Sequence, residues 1–320
     1  MMSEDFESGE SRLMCCASCG IKANDDIKLK KCTACNLVKY CGVKCQKEHR
    51  SKHKRECKKR AAELRDEILF RQPESSRLGD CPICCLPLPI PCDVQKHNCS
   101  SSPVISMHCC SQVICKGCYY ANRMREREQS LPTLCPYCRH PAPKTEEAWK
   151  EETEKRRMKR LEANDPVALQ ELGVDHYHDG DYGSSIKCWR KAAVLGDVVS
   201  HYQMSIMYRE GKGVQKDMKK AIYHAEQAAI GGDPKARYNL GVEEMNNGRI
   251  QRAVRHHIIA ASLGYEKSLE VLRKNYAAGC VQKNDFAAAL RAYQAAVDAT
   301  KSPQREKGEE WYRLKNHWKC

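Results

Sequence analysis

The sequence predicts a multidomain chain in which two small cysteine-rich modules precede an all-α helical-repeat solenoid. Three observations carry that expectation. Of the 22 cysteines in 320 residues, 19 fall between residues 15 and 138, and only Cys188, Cys280 and Cys320 lie beyond. The cysteine-rich half is too poor in large apolar residues to be held up by burial, so another agent must fold it. After residue 164, the pairs Ala192-Ala193, Ala228-Ala229, Ala260-Ala261 and Ala295-Ala296 recur at intervals of 36, 32 and 35 residues, the mark of an internal repeat.

Composition narrows the function classes. Lys and Arg number 55 against 41 Asp and Glu, a formal charge of +14. No apolar run approaches the roughly 18–20 residues of a membrane span, so no membrane partner is expected. The opening MMSEDFESGESR is acidic and polar, without the apolar stretch of a secretory signal. These features predict an intracellular protein, cytoplasmic or nuclear. In a reducing compartment, paired cysteines read as metal ligands rather than disulfides.

Residues 1–14 are expected to be disordered. Residues 15–60 hold the first Cys/His cluster, with the pairs Cys16 and Cys19, Cys32 and Cys35, Cys41 and Cys45, and His53 and Cys57. Each spacing lets two side chains reach one tetrahedral zinc, and an i, i+4 pair such as His53 and Cys57 shares one helix face. Eight ligands make two sites. Cys15 and His49 are neighbouring alternatives. The stretch CASC, CTAC, YC-GVK-CQ and HKREC resembles a MYND-type zinc finger. The resemblance implies interleaved sites: Cys16, Cys19, Cys41 and Cys45 on one zinc, and Cys32, Cys35, His53 and Cys57 on the other. It also implies a peptide-binding role, with one departure at Arg50, where the family usually has Trp.

Residues 61–79 read as a helical linker, with Ala61, Leu64, Ile68 and Leu69 at helical spacing and RQPESSRLG as a loop. Residues 80–141 hold the second cluster. Cys81-Pro-Ile-Cys84 opens it, Cys115 and Cys118 sit in the middle, and Cys135-Pro-Tyr-Cys138 closes it. This pattern resembles a RING-type zinc finger in a variant form. The resemblance implies cross-bracing, with Cys81, Cys84, Cys115 and Cys118 on one zinc and Cys135 and Cys138 on the other. The pair completing the second site departs from the family, because Gln112 stands where a His is usual. His108 with Cys110 fits, and Cys109 is the alternative to His108. Cys85, Cys92, Cys99 and His97 are expected to be bystanders. In RING fingers that act as ubiquitin ligases, an apolar residue between the first two cysteines contacts the conjugating enzyme, and an Arg after the last cysteine bridges to ubiquitin. Ile83 and Arg139 occupy those places. Simple packing for Ile83 and an ordinary surface position for Arg139 are the plain alternatives.

Residues 142–163 are rich in Lys, Arg and Glu and read as a charged, solvated linker helix. Residues 164–300 carry about four copies of a helix pair. KDMKKAIYHAEQAAIGGDPKARYNLG and DYGSSIKCWRKAAVLGD resemble the Sel-one-like repeats, relatives of tetratricopeptide repeats. One such pair cannot bury its apolar face, so the pairs must stack into a solenoid. Trp189, Tyr208, Tyr223 and Tyr293 are expected in its core. Residues 301–320 read as a tail or capping helix, with Trp311, Leu314 and Trp318 on one face.

Together the resemblances imply two small cross-braced zinc-binding modules before the repeats and about four structural zincs. A zinc held by four thiolates carries a formal charge of about −2, and one with three thiolates and a neutral His about −1. Two sites of each kind would bring the chain to about +8, which weakens the case for nucleic acid. Residues 15–60 are basic, with 14 Lys and Arg against 4 Asp and Glu, but no aromatic stacking platform accompanies them. The leading expectation is a RING-type ubiquitin ligase without a covalent intermediate. Its partners would be a conjugating enzyme, ubiquitin, and protein or peptide ligands of the MYND finger and repeats. The alternative is a non-enzymatic adaptor.

Overall fold

The structure, a computed structural model, describes residues 15–90, 102–107, 109–143 and 145–317. The expectations placed on residues 1–14, Cys92, His97, Cys99, His108 and Trp318 lie outside the described residues. The chain divides into two compact units, Met1–Arg71 and Gln72–Cys320.

In the first unit, β1 (Lys30–Lys31) and β2 (Lys39–Tyr40) form an antiparallel hairpin, pairing Lys30 with Tyr40 and Lys31 with Lys39. The buried core is Cys16, Cys32, Cys35 and Tyr40. Three of these four are thiols, so side-chain burial alone supplies little stabilisation. Helix α1 (Val43–Leu69) follows as one continuous element through Cys45, His53, Cys57 and the apolar positions 61–69. The first module and its helical linker thus share a single helix, because nothing in RECKKRAAELRDEIL breaks it.

The second unit begins with a loop tied to the repeats. Arg77 Nε donates to Asp233 Oδ2 at 2.7 Å, and its backbone N–H donates to the Gly232 carbonyl at 3.1 Å. The second cysteine-rich module then contains a hairpin of β3 (Val104–Met107) and β4 (Gln112–Cys115), leading into α2 (Lys116–Glu128). Its core is Cys81, Leu88, Ile114, Cys115 and Cys118. Helix α3 (Glu146–Glu162) starts at an N-cap Thr145, whose hydroxyl accepts from the Ala148 N–H. The sequence reads this helix as a charged, solvated linker. None of its described residues is buried, and three arginines toward its C-terminal end are engaged: Arg156 with His140 and the Cys109 carbonyl, Arg157 with Asp175, and Arg160 with Asp165 and Glu171.

The solenoid runs as α4 (Pro166–His178), α5 (Tyr182–Val194), α6 (Val198–Glu210), α7 (Met218–Ile230), α8 (Pro234–Asn246), α9 (Ile250–Ser262), α10 (Glu266–Ala277) and α11 (Lys283–Ala299). Asp165, Asp181, Asp197, Asp217 and Asp233 cap five successive helices by accepting backbone N–H groups. Gly196 and Gly232, at φ +91° and +83°, end the preceding helices in the left-handed region that favours glycine. Ala192, Ala228, Ala229, Ala260 and Ala261 are fully buried, because stacked pairs meet across them. Ala295 is exposed and Ala296 half-buried, since among the described residues no further helix pair stacks on α11. Trp189 and Tyr208 lie in the core, whereas Tyr293 is half-buried and Tyr223 is exposed. The side chain of Tyr223 stands edge-on to His224, 5.1 Å between ring centroids.

Helix α12 (Pro303–His317) packs against α2, so the C-terminal helix lies on the second cysteine-rich module. A Cβ on Gly308 would fall 2.9 Å from Gly117 Cα, and one on Gly117 would fall 2.7 Å from Arg305 Cα. Only paired glycines permit that approach. Tyr119 against Tyr312 and Tyr120 against Trp311 flank the crossing.

Candidate metal centres

Among the described residues, four groups bring four ligand atoms within 4.8 Å of one another. They are Cys16, Cys19, Cys41 and Cys45; Cys32, Cys35, His53 and Cys57; Cys81, Cys84, Cys115 and Cys118; and Cys109, Cys110, Cys135 and Cys138. The backbone makes each group from local pieces. A CxxC turn supplies two sulfurs, with Gly20 N–H bonding the Cys16 carbonyl and Cys85 N–H the Cys81 carbonyl. Helix α1 supplies Cys45 to the first group, and His53 and Cys57 to the second. The junction of β4 with α2 supplies Cys115 and Cys118 to the third.

The distances fit zinc. A tetrahedral ion with zinc–sulfur bonds of about 2.3 Å needs sulfur–sulfur edges of about 3.8 Å. The edges Cys109–Cys138, Cys41–Cys45, Cys19–Cys41, Cys32–Cys57, Cys81–Cys118, Cys84–Cys115 and Cys109–Cys110 are 3.4, 3.5, 3.6, 3.8, 3.9, 3.9 and 4.0 Å, which bracket that value. Cys35 Sγ lies 3.1 Å from His53 Nε2, which identifies the ring nitrogen facing the second centre. The four groups are consistent with about four structural zinc ions. Four protein donors leave no position open for a reacting water.

The thiols resist joint ionisation, which a dication would resolve. Burial works against a charge on Cys16, but the N–H groups of Cys19, Cys41 and Ser18 outweigh it and bring its pKa down to about 6. Its neighbour Cys41 is driven to about 12, first by its hydrogen bond to Cys45. In the third group the Cys118 hydrogen bond pulls Cys115 down to about 4, while Cys118 is pushed up. A bound dication favours every thiolate at once.

The fourth group lies at the irregular end of the second module. Cys109, held open beside His108 in the sequence, joins Cys110, Cys135 and Cys138, while His108 lies outside the described residues. Two adjacent cysteines turned to one centre require a bent backbone, and Ser111 just beyond them has φ +60°. Gln112 sits in β4 opposite Met107 and supplies no ligand. Cys15 and Cys85 stand outside the groups. Zinc held by these four groups, three all-thiolate and one containing His, would bring the formal charge to about +7. Ile83 is 40 % exposed between Cys81 and Cys84, and Arg139 is exposed after Cys138 with φ +63°.

His49, an alternative ligand in the sequence, stands outside the four groups in a supporting position, and several other supporting residues escaped the sequence. Tyr40 Oη meets His49 Nδ1 at 3.1 Å, and the His49 ring stacks on His53. Arg156 braces the fourth group by donating to the Cys109 carbonyl at 3.2 Å and to His140 Nε2 at 2.7 Å. Arg305 and Gln304 reach the third group from α12. The one available signal was Gly308, an otherwise unfavourable residue inside a helical pattern, which marks a close backbone approach.

Residues 16–57 match the MYND finger family, and residues 166–197, 198–233 and 234–265 match the Sel1 repeat. The chain therefore carries a MYND finger and three Sel1 repeats; α10 and α11 continue the helical array beyond the matched span. A Sel1 repeat protein from Oxalobacter formigenes is similar at 23 % identity over 62 % of this chain and 86 % of its own, with a TM-score of 0.41. A protective antigen of uropathogenic Escherichia coli displaying an SLR fold is similar at 25 % identity over 46 % of this chain and 33 % of its own, with a TM-score of 0.38. An immunity protein from Pseudomonas aeruginosa is similar at 18 % identity over 45 % of this chain and 80 % of its own, with a TM-score of 0.21. No curated protein matches the chain. MYND fingers and Sel1 repeats generally mediate protein–protein interaction, and together they point to a protein-interaction scaffold. Among the described residues, no helix is long and apolar enough to cross a membrane.

Proposed function

We propose that the chain is a three-module intracellular protein: a MYND finger at 15–60, a RING-type finger at 80–141 and helical repeats at 164–300. In this reading the second finger holds a ubiquitin-charged conjugating enzyme, while the MYND finger and repeats bind protein partners. The single observation that carries it is the pairing order in the second module. The first and third cysteine pairs, Cys81/Cys84 and Cys115/Cys118, share one centre, and Cys109/Cys110 share the other with Cys135/Cys138. The sixteen residues of the four groups are the proposed ligands. The exposure of Ile83 beside the first centre and of Arg139 beside the last supports the docking role.

The mechanism is positional. No side chain of this module attacks the thioester. The finger restricts the charged conjugating enzyme to a reactive geometry, and the rate gain comes from orientation. A discharge assay over a panel of conjugating enzymes tests this. Ile83→Ala should weaken enzyme binding by about five- to several-hundredfold, as truncating a central apolar contact does. Arg139→Ala should leave that affinity nearly unchanged and slow discharge. A wild type without discharge across the panel contradicts the ligase reading. The adaptor reading is favoured by one observation, the adjacent ligands Cys109 and Cys110, and it predicts that outcome.

A further inference from the structure

The third metal group has a neighbour that comes from the far end of the chain. Arg305, in the first turn of α12, is 5 % exposed. One terminal nitrogen of its guanidinium donates to Cys84 Sγ at 3.3 Å and to the Leu86 carbonyl at 3.0 Å. The other donates to the Pro87 carbonyl at 2.6 Å and to the Thr300 carbonyl at 2.8 Å. Gln304 Nε2 donates to Cys118 Sγ at 3.5 Å. The zinc turn and α12 are thus joined across 186 to 221 residues of sequence.

Three physical features make this more than surface packing. A zinc with four thiolates carries a formal charge of about −2, and an arginine fork is suited to buried anionic acceptors. The same fork holds the carbonyls of Leu86 and Pro87 and thereby fixes the loop that follows Cys84. The helix is seated by the Gly117–Gly308 crossing, with the Lys116 ammonium 4.7 Å from the Tyr312 ring centroid. The first turn of α12, the positive end of its dipole, is accordingly pressed against the Cys115–Cys118 turn.

We propose that Arg305, with Gln304, is a positioning residue of the zinc centre formed by Cys81, Cys84, Cys115 and Cys118, so that the C-terminal helix completes this finger and retains its metal. The inference concerns zinc retention and stands whether or not the finger is a ligase.

The test uses the zinc-loaded full chain. Chelator and a thiol alkylating agent are added together, and mass spectrometry follows which cysteines are modified and when. Removing a hydrogen-bonding residue behind a metal ligand typically weakens metal binding about ten- to hundredfold. Arg305→Met should accelerate zinc loss and alkylation at Cys81, Cys84, Cys115 and Cys118 by about that factor, with the other three groups unchanged. Arg305→Lys, which keeps the charge but not the fork, should fall between. Gly308→Val should force α12 off α2 and reproduce the selective loss with Arg305 intact. Release within about twofold of wild type in Arg305→Met, or acceleration of all four groups alike, overturns the proposal. Should Arg305→Met fail to fold, Arg305→Lys decides, since selective acceleration supports the role and unchanged release refutes it.

Discussion

Asp233 shows how one side chain can join two parts of a unit. It is 2 % exposed; Oδ1 accepts from the Ala236 N–H at 2.8 Å and caps α8, while Oδ2 accepts from Arg77 at 2.7 Å. Loss of a cap typically costs about 1 kcal/mol, and leaving a partly buried arginine without its anion adds to that. Asp233→Ala should therefore destabilise the second unit by about 2–4 kcal/mol in a urea melt. Asp233→Asn keeps the cap and should lose less. A change below about 0.5 kcal/mol for Asp233→Ala would remove the loop anchor from the account. The helix break beside it is visible in the sequence, where Gly196-Asp197 and Gly232-Asp233 recur. Its pairing with Arg77 was not, since 156 residues separate the two and RQPESSRLG reads only as a turn-rich loop.

At the scale of elements, α9 carries a buried basic pair. His256 and His257 are almost fully buried, and Gly241 of α8 lies so close to the His257 ring that a Cβ there would meet Nε2 at 2.6 Å. Burial first, then the charges of Arg237, Arg252, His257 and Arg255, pushes His256 down to about 3, and burial alone pushes His257 to about 4. An unfolded His takes up its proton near pH 6.5, well before these two do. The unfolded state then binds more protons, and stability is lost as pH falls from about 6.5 toward 4. Melting temperature should drop between pH 7.5 and 5, and His256→Gln with His257→Gln should flatten that slope relative to wild type. An unchanged slope in the double variant would contradict the assignment. Helical periodicity and the Ala-Ala pairs made α4 to α11 readable. The docking of α3 and α12 was hidden, because a charged helix looks the same in sequence whether its arginines face water or named acceptors.

For the whole molecule, the metal groups and the repeats are separate answers to the same shortage of apolar side chains. The MYND finger's core is mostly thiol, whereas the solenoid buries Trp189, Met204, Met207, Leu272 and a row of alanines. Cysteine spacing exposed the first solution and a period of 32–36 residues the second. What spacing left open was the choice between His108 and Cys109, because adjacent candidates in SMHCCSQ satisfy the same local separation; Cys109 joins the fourth group, and His108 lies outside the described residues. The account rests on four closed, structural zinc centres. Elemental analysis of the purified full chain tests it most directly: the account predicts about four zincs per chain. A value of about two, equal to a single finger's complement, would contradict it.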